Sequence, residues 1–156
     1  MDGQDFVGLI AGLYDNMGIE YKYNAEKQVF CGHFTVEKTR SFRLVIGHGE
    51  DEIMIFISID DFRADLGERD QLLSFINMIN WKIKSGKIAV DMEDGEIRYD
   101  SYISTLGMET PPVAILESIV LMGCRTMVRY YEGLLTLAIG FSDAISEMES
   151  VMKQEK

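Results

Sequence analysis

Cysteine is scarce in this 156-residue sequence, which holds only Cys31 and Cys124. The two lie far apart and outside any C-x-x-C pattern, so neither a disulfide framework nor a zinc ribbon is indicated. The N-terminal stretch MDGQDF also lacks the basic residues and the apolar run of a secretory signal. Two free thiols without an export signal predict a protein of the reducing cytoplasm.

Positive charge is also in short supply. The chain has 15 Lys and Arg against 26 Asp and Glu, which gives a net charge of -11 and a pI near 4.6. Lys and Arg drive the attraction to phosphate backbones and to anionic lipid, so nucleic acid and membrane surfaces are not expected as partners.

A long uninterrupted hydrophobic run is missing as well. The most apolar region, residues 113–139, is broken by Glu117, Arg125, Arg129 and Glu132. A membrane span needs about 20 mostly apolar residues, so this region is predicted to be a soluble helix. A chain of this length can bury a core without disulfides or metals, and a single domain over residues 1–156 is predicted.

Recognised catalytic motifs are missing too, since neither G-x-S-x-G nor H-E-x-x-H occurs. The acidic turn around Gly95 lacks the ligand spacing of a calcium-binding EF-hand. We therefore predict that the protein is not an enzyme and has no catalytic residue, cofactor or metal. Cys31, His33 and His48 form at best an incomplete Cys/His metal site, which leaves a metal-dependent enzyme as a weak hypothesis.

The patterns that are present predict an α+β fold. Apolar residues at helical spacing predict a first helix over residues 5–17, ended by Gly18. Three short segments with polar connectors predict an antiparallel meander; they are residues 29–36, 42–46 and 53–59. A second helix begins near Leu72 and ends before Gly86.

Two further strands are predicted after the second helix. With Asp94-Gly95 as a two-residue turn, Val90 faces Tyr99 and Asp91 faces Arg98, so both sides of the hairpin are chemically consistent.

A long helix is predicted to follow, starting at Thr110-Pro111-Pro112 and running towards Gly140. Gly123 and Gly133 are expected to weaken it. Residues 141–156 are expected to form a terminal helix capped by Ser142, or a tail. The predicted order is α-β-β-β-α-β-β-α, with helices packed on an antiparallel sheet of about five strands.

The second helix carries apolar residues on two sides. Leu72, Ile76, Ile79 and Ile83 form one stripe that is predicted to lie on the sheet. Phe75, Met78 and Trp81 fall on the other side, which predicts a second covering surface. Asn77 and Asn80 share a face beside the first stripe, and structural hydrogen bonds to the nearby backbone are their expected role.

This helix and the hairpin together resemble the YbjN-type domain, whose fold is similar to that of type III secretion chaperones. The resemblance extends over about residues 5–140. The matching residues are Leu72, Leu73, Ile76, Asn77, Ile79, Asn80, Gly86, Asp91, Asp94, Gly95, Ile97 and Tyr99.

The resemblance implies a small, acidic, cytoplasmic bacterial domain, often a homodimer, that binds other polypeptides and has no catalytic residues. In the secretion chaperones the helix between strands three and four contributes to the dimer interface. By this resemblance, Phe75, Met78 and Trp81 are expected to contact a symmetry mate or a partner protein.

Three functions are therefore considered. The first is a non-catalytic protein-binding module, chaperone-like or adaptor, that holds a segment of a partner polypeptide. The second is a regulatory domain that senses a small ligand in a groove between the long C-terminal helix and the sheet. The third is the metal-dependent enzyme using Cys31, His33 and His48.

Overall fold

The computed structural model describes residues 2–155. The helices are α1 (Gly3–Met17), α2 (Arg69–Lys82), α3 (Val113–Ala138) and α4 (Ala144–Gln154), and a 3-10 turn at Leu66–Glu68 precedes α2. The strands are β1 (Tyr21–Asn24), β2 (Val29–Val36), β3 (Arg40–His48), β4 (Glu52–Ile59), β5 (Lys87–Val90) and β6 (Ile97–Ser104). None of the helices in residues 2–155 has the combination of length and hydrophobicity that a membrane-spanning segment requires.

The strands form one antiparallel sheet in the order β1-β2-β3-β4-β6-β5. The predicted α+β class is confirmed, but this six-stranded sheet has one strand more than expected. Strand β1 was not predicted because it has only four residues, of which Tyr21 and Tyr23 are half-buried. An alternation this short is hard to recognise in a sequence.

The turn between β5 and β6 is longer than predicted. Val90 pairs with Ile97 rather than with Tyr99, so the predicted register and the two-residue turn are wrong. The Asp91 carboxylate accepts hydrogen bonds from the backbone N–H of Glu93 at 2.7 Å and of Asp94 at 3.4 Å. This local bonding of an aspartate to the backbone ahead of it favours the longer turn.

Helices α1 and α3 pack on the same face of the sheet. The Tyr14 hydroxyl of α1 donates a hydrogen bond to the Leu44 carbonyl at 2.6 Å. On α3, the Tyr131 ring meets Phe42 edge-on with 5.5 Å between ring centroids. Side chains of the opposite sheet face, among them Phe56, stay partly exposed.

Helix α3 is continuous through Gly123 and Gly133, and neither glycine interrupts it. Both glycines lie where the helix approaches a neighbour closely. A Cβ at Gly123 would lie 2.6 Å from the Tyr99 ring, and one at Gly133 would lie 2.7 Å from the Phe75 ring. The missing side chains therefore allow α3 to touch the sheet and α2.

The last helix, α4, is capped by Asp143 rather than by Ser142. The Asp143 carboxylate accepts a hydrogen bond from the backbone N–H of Ser146 at 3.0 Å. Met148 and Val151 are buried, and α4 packs against α2 and α3. Residues 144–154 are thus a docked helix.

Candidate protein-binding surface

Helix α2 is held at the β5 edge of the sheet by Asn80. Its carboxamide accepts a hydrogen bond from the Ile88 N–H at 2.8 Å and donates one to the Ile88 carbonyl at 2.9 Å. These two bonds satisfy the backbone groups of Ile88 that face away from β6. Asn80 therefore both positions α2 and occupies part of an edge that could otherwise pair with another strand.

The start of α2 is fixed by the buried side chain of Arg69, which is 6% exposed. Its guanidinium donates hydrogen bonds to the carbonyls of Ala64 at 3.1 Å, Glu93 at 3.0 Å and Met92. Sequence reasoning missed this residue, because an arginine at a helix start is usually solvated. Arg69 ties the β5–β6 turn to α2.

Phe75 lies inside the chain's own core. Three residues of the predicted sheet-facing stripe, Leu72, Ile76 and Ile79, are buried, whereas Ile83 at the end of the helix is half-buried. Phe75 is buried as well. Its ring meets Tyr130 edge-on at 6.1 Å and lies against Gly133. Helix α3 therefore covers the second apolar side of α2 at Phe75. The expected contact of Phe75 with a partner does not fit this structure.

Met78 and Trp81 have different surroundings from Phe75. Met78 is half-buried and packs at the margin of the core, whereas Trp81 is 90% exposed. Leu73 and Asn77, on the same side of the helix as Trp81, are exposed as well. We call the exposed surface formed by Asp70, Leu73, Asn77 and Trp81 the α2 face.

Charge is distributed unevenly along the α2 face. Asp70 lies in the first turn of α2 and Lys82 in its last turn, an arrangement that is favourable with the helix dipole. Lys84 and Lys87 follow within five residues of Lys82. The exposed Trp81 therefore lies in a locally basic region of an acidic protein.

The proposed metal ligands are not brought together. Cys31 and His33 alternate with the buried Phe30 and so lie on the outer sheet face, where His33 Nδ1 is 2.8 Å from an Asp60 carboxylate oxygen. His48, which is half-buried, stacks on the core residue Phe6 with 4.8 Å between ring centroids. Over residues 2–155 no group of three His, Cys, Asp or Glu side chains could hold a metal ion, so this ligand set is wrong.

The thiols also lack the environment of a reactive cysteine. Burial raises the pKa of Cys124 to about 11. The pKa of Cys31 is also raised, mainly by burial, although the charge of Arg43 opposes the shift. Both shifts favour the protonated thiol over the nucleophilic thiolate.

The outer sheet face carries a polar network that sequence reasoning missed. Arg43 bonds Glu96 at 3.1 Å, the Ser58 hydroxyl donates to the same carboxylate at 2.6 Å, and Arg98 bonds Asp100 at 2.6 Å. Arg98 and Asp100 are two residues apart on β6, but only the strand register brings Arg43 and Ser58 to Glu96. Each arginine has a carboxylate partner within the network, which is typical of a structural cluster.

The expected ligand groove between α3 and the sheet is closed at Gly123. The missing side chain lets the helix backbone lie against Tyr99 and Ile57, and even a methyl group there would be 2.6 Å from Tyr99. Close packing of this kind leaves no room for a ligand at that point. A shallow depression of about 300 Å³ lies instead on the outer face, between β5 and the polar network, lined by residues that include Lys87, Glu96 and Asp100.

Comparison with known families agrees with this architecture. A family model described as "YbjN: Putative bacterial sensory transduction regulator" matches residues 7–135. The chain belongs to the YbjN family. The YbjN match spans α1 to most of α3 and thus includes α2 and the hairpin. No curated protein matches the chain.

Solved structures with a similar fold include YbjN and a chain of a chaperone-effector complex. YbjN from E. coli, described as a putative transcription regulator, has a TM-score of 0.60 at 14% identity over 85% of this chain and 91% of that one. A chain of the HopA1-SchA chaperone-effector complex has a TM-score of 0.53 at 11% identity over 85% of this chain and 98% of that one. At these identities the likeness establishes the fold alone.

Proposed function

We propose that this YbjN-family protein is a non-catalytic protein-binding module of the bacterial cytoplasm, chaperone-like or adaptor, that holds a segment of a partner polypeptide. The observation that carries the proposal is Trp81, a large aromatic side chain that is 90% exposed on a helix fixed at both ends. Exposed aromatic residues on rigid elements are frequent contact residues in protein interfaces. The chaperone-effector complex among the structural neighbours supports the same class of function.

A second copy of the chain is the first proposed partner of the α2 face. Antiparallel α2 helices around a two-fold axis at Asn77 would place Leu73 beside Trp81 of the other copy, because each lies four residues from Asn77. The same axis would place the N-terminal end of α2, with Asp70, beside the C-terminal end of the other copy, where Lys82 lies in the last turn and Lys84 follows the helix. Apolar residues then meet each other and opposite charges meet, as a self-complementary interface requires.

The substitution Trp81→Asp tests the contact with a second copy of the chain and the contact with a partner polypeptide. We expect it to convert a dimer into a monomer in light scattering after gel filtration, because a charge would replace the largest exposed apolar side chain of the interface. We expect the wild type to capture a specific polypeptide from a native bacterial lysate, identified by mass spectrometry. The Trp81→Asp variant should fail to capture that polypeptide.

Leu106→Asp is the matched control, since Leu106 is 73% exposed and lies outside the α2 face. This variant should keep the mass and the co-purifying protein of the wild type. A folded Trp81→Asp protein with unchanged oligomeric state and unchanged partner would remove the α2 face from the proposal.

Sensing of a small ligand is the second candidate function. The family description names sensory transduction, and the depression beside Lys87 and Asp100 offers charged groups of both signs. A ligand that binds only the native state raises the melting temperature. A thermal-shift screen of metabolites, with Lys87→Ala as the control variant, separates this function from protein binding.

A further inference from the structure

A second exposed apolar surface lies at the turn between α3 and α4, away from Trp81 and the C-terminal end of α2. Four large side chains are exposed there: Leu66 is 77% exposed, Ile139 41%, Phe141 81% and Ile145 67%. We call these four residues the corner patch. Single exposed apolar residues are ordinary on protein surfaces, but a group of four from two distant parts of the chain is characteristic of a binding surface.

The backbone around the corner patch is fixed by hydrogen bonds. The Asp65 N–H donates to the Ala138 carbonyl at 2.9 Å, which joins the segment before α2 to the end of α3. The Phe141 N–H donates to the Thr136 carbonyl at 2.9 Å. Leu66 and Phe141 are therefore held at the surface by a defined backbone, although neither contributes to the buried core.

The turn itself depends on Gly140 and on α2. Gly140 has a φ of 78°, and a Cβ there would lie 2.7 Å from a carboxylate oxygen of Glu68. The Ala144 N–H donates to the Gln71 side chain at 3.3 Å. These contacts place the Glu68 carboxylate directly beside the corner patch.

Negative charge surrounds the corner patch. Asp65 and Glu68 flank Leu66, Asp143 lies between Phe141 and Ile145, and Glu149 is one helical turn beyond Ile145. The region from Phe141 to Glu149 contains no Lys or Arg.

The two arginines nearest in sequence are engaged elsewhere. Arg69 is buried and bonds backbone carbonyls. Arg63 bonds the Phe62 carbonyl at 2.9 Å and lies 3.9 Å from Asp94. The carboxylates around the corner patch are therefore not neutralised by these side chains.

This charge identifies the kind of partner. A second copy of the chain would bring two acidic surroundings together, which costs free energy on a protein of net charge -11. A segment with apolar residues on one side and Lys or Arg on the other would satisfy both the exposed side chains and the carboxylates. An amphipathic helix is a common form of such a segment.

We propose that the corner patch binds a cationic amphipathic segment of a partner protein. The inference rests on the proposed protein-binding function, and it adds a second surface and the chemistry of what binds there. Leu66 and Phe141 supply the apolar contacts, and Glu68 and Glu149 face the basic side chains of the segment.

The test is fluorescence anisotropy of the full-length protein with labelled synthetic peptides. The probe is an 18-residue helix with Leu on one side and Lys on the other. A scrambled peptide of the same composition controls for charge alone, and a Leu/Glu peptide controls for apolar attraction alone. We expect only the cationic amphipathic peptide to bind, and its affinity to fall with increasing salt.

The decisive variant is Leu66→Ser combined with Phe141→Ser, which should weaken peptide binding by at least about tenfold. Its matched control is Leu106→Ser combined with Met108→Ser, which removes two exposed apolar side chains elsewhere and should leave binding unchanged. Glu149→Gln should weaken binding, whereas Glu26→Gln, in the exposed β1–β2 turn, should not. Circular dichroism verifies that each variant is folded, and crosslinking of a photo-leucine peptide to the wild type maps the site independently of any variant.

The proposal that the corner patch binds a cationic amphipathic segment would be contradicted by any of three results. These are no binding of the cationic amphipathic peptide, equal binding by the patch variant and its control, or crosslinks outside the patch. If the patch variant weakened binding of the scrambled and the amphipathic peptides equally, the interaction would depend on net charge alone. That result would also contradict the proposal. The proposed function is judged separately by the lysate capture with Trp81→Asp, so its failure and the failure of the corner patch can be told apart.

Discussion

At the scale of single residues, Asn77 and Asn80 have the same side chain three positions apart on α2 and yet different surroundings. Asn80 bonds both backbone groups of Ile88, whereas Asn77 is exposed on the α2 face. Removing a carboxamide that bonds two backbone groups of a strand leaves both groups without a hydrogen-bond partner, which costs stability. Removing a solvated carboxamide leaves no such group. The pair therefore separates a structural asparagine from one that is free for an interface.

Asn80→Ala should lower the free energy of unfolding by about 1–2 kcal/mol, because both Ile88 groups lose their partner. Asn77→Ala should change it by less than about 0.5 kcal/mol, as is usual for an exposed position. Urea denaturation in the Trp81→Asp background measures both and removes any contribution from the proposed dimer. Equal effects of the two substitutions would contradict the structural role of Asn80.

At the scale of secondary structure elements, the glycines of α3 determine how closely the helix packs. Glycine costs a helix about 1 kcal/mol relative to alanine, so its presence in a 26-residue helix needs a compensating contact. Gly123 against Tyr99 and Gly133 against Phe75 supply such contacts. In α3, the close packing at Gly123 and Gly133 therefore outweighs the low helix propensity of glycine.

Gly123→Ala should lower the free energy of unfolding by about 1–3 kcal/mol, because the new methyl group would overlap the Tyr99 ring. Gly8→Ala is the control: Gly8 is exposed on α1, and no atom lies within 4 Å of its Cβ position. The same substitution there should raise the free energy of unfolding by about 0.5–1 kcal/mol. Thermal and urea denaturation measure both, and stabilisation by Gly123→Ala would refute the packing argument.

The same scale shows how far the sequence predicts this fold. Sequence patterns located five of the six strands and the sheet-facing stripe of α2, because each signal lies within one element. They missed β1, which is too short. The resemblance to the YbjN-type domain placed Phe75 at a partner interface, whereas the periodicity predicted only a second covering surface. The reason for the second error is that α3, more than 30 residues away in sequence, covers Phe75. A hydrophobic pattern shows that a residue needs a cover, but not which part of the molecule provides it.

At the scale of the whole molecule, the resolved pKa shifts of His48, Asp91 and Asp143 agree in sign. Burial lowers the pKa of His48 below its usual 6.5. Hydrogen bonds from backbone N–H groups, of Glu93 to Asp91 and of Ser146 to Asp143, lower the pKa of each carboxyl below its usual 3.8. In all three cases the unfolded chain binds protons at a higher pH than the folded protein does.

The free energy of unfolding should therefore fall as the pH is lowered from about 7.5 to about 5.5, because His48 is protonated in the unfolded chain before it is in the folded one. A further fall should follow below pH 3.8, as Asp91 and Asp143 are protonated. Relief of the repulsion within a chain of net charge -11 would act in the opposite direction. It contributes little in the upper range, because ordinary carboxyl groups titrate near pH 4.

His48→Phe isolates the upper range, since a phenyl ring can keep the stacking on Phe6 and removes the buried Nε2 that has no hydrogen-bond partner. Urea denaturation at a series of pH values should show a shallower slope for this variant than for the wild type between about pH 7.5 and about pH 5.5. His33 is present in both proteins, so only position 48 differs between them. Equal slopes, or a wild type that gains stability on acidification, would show that charge repulsion across the whole molecule outweighs the burial of His48.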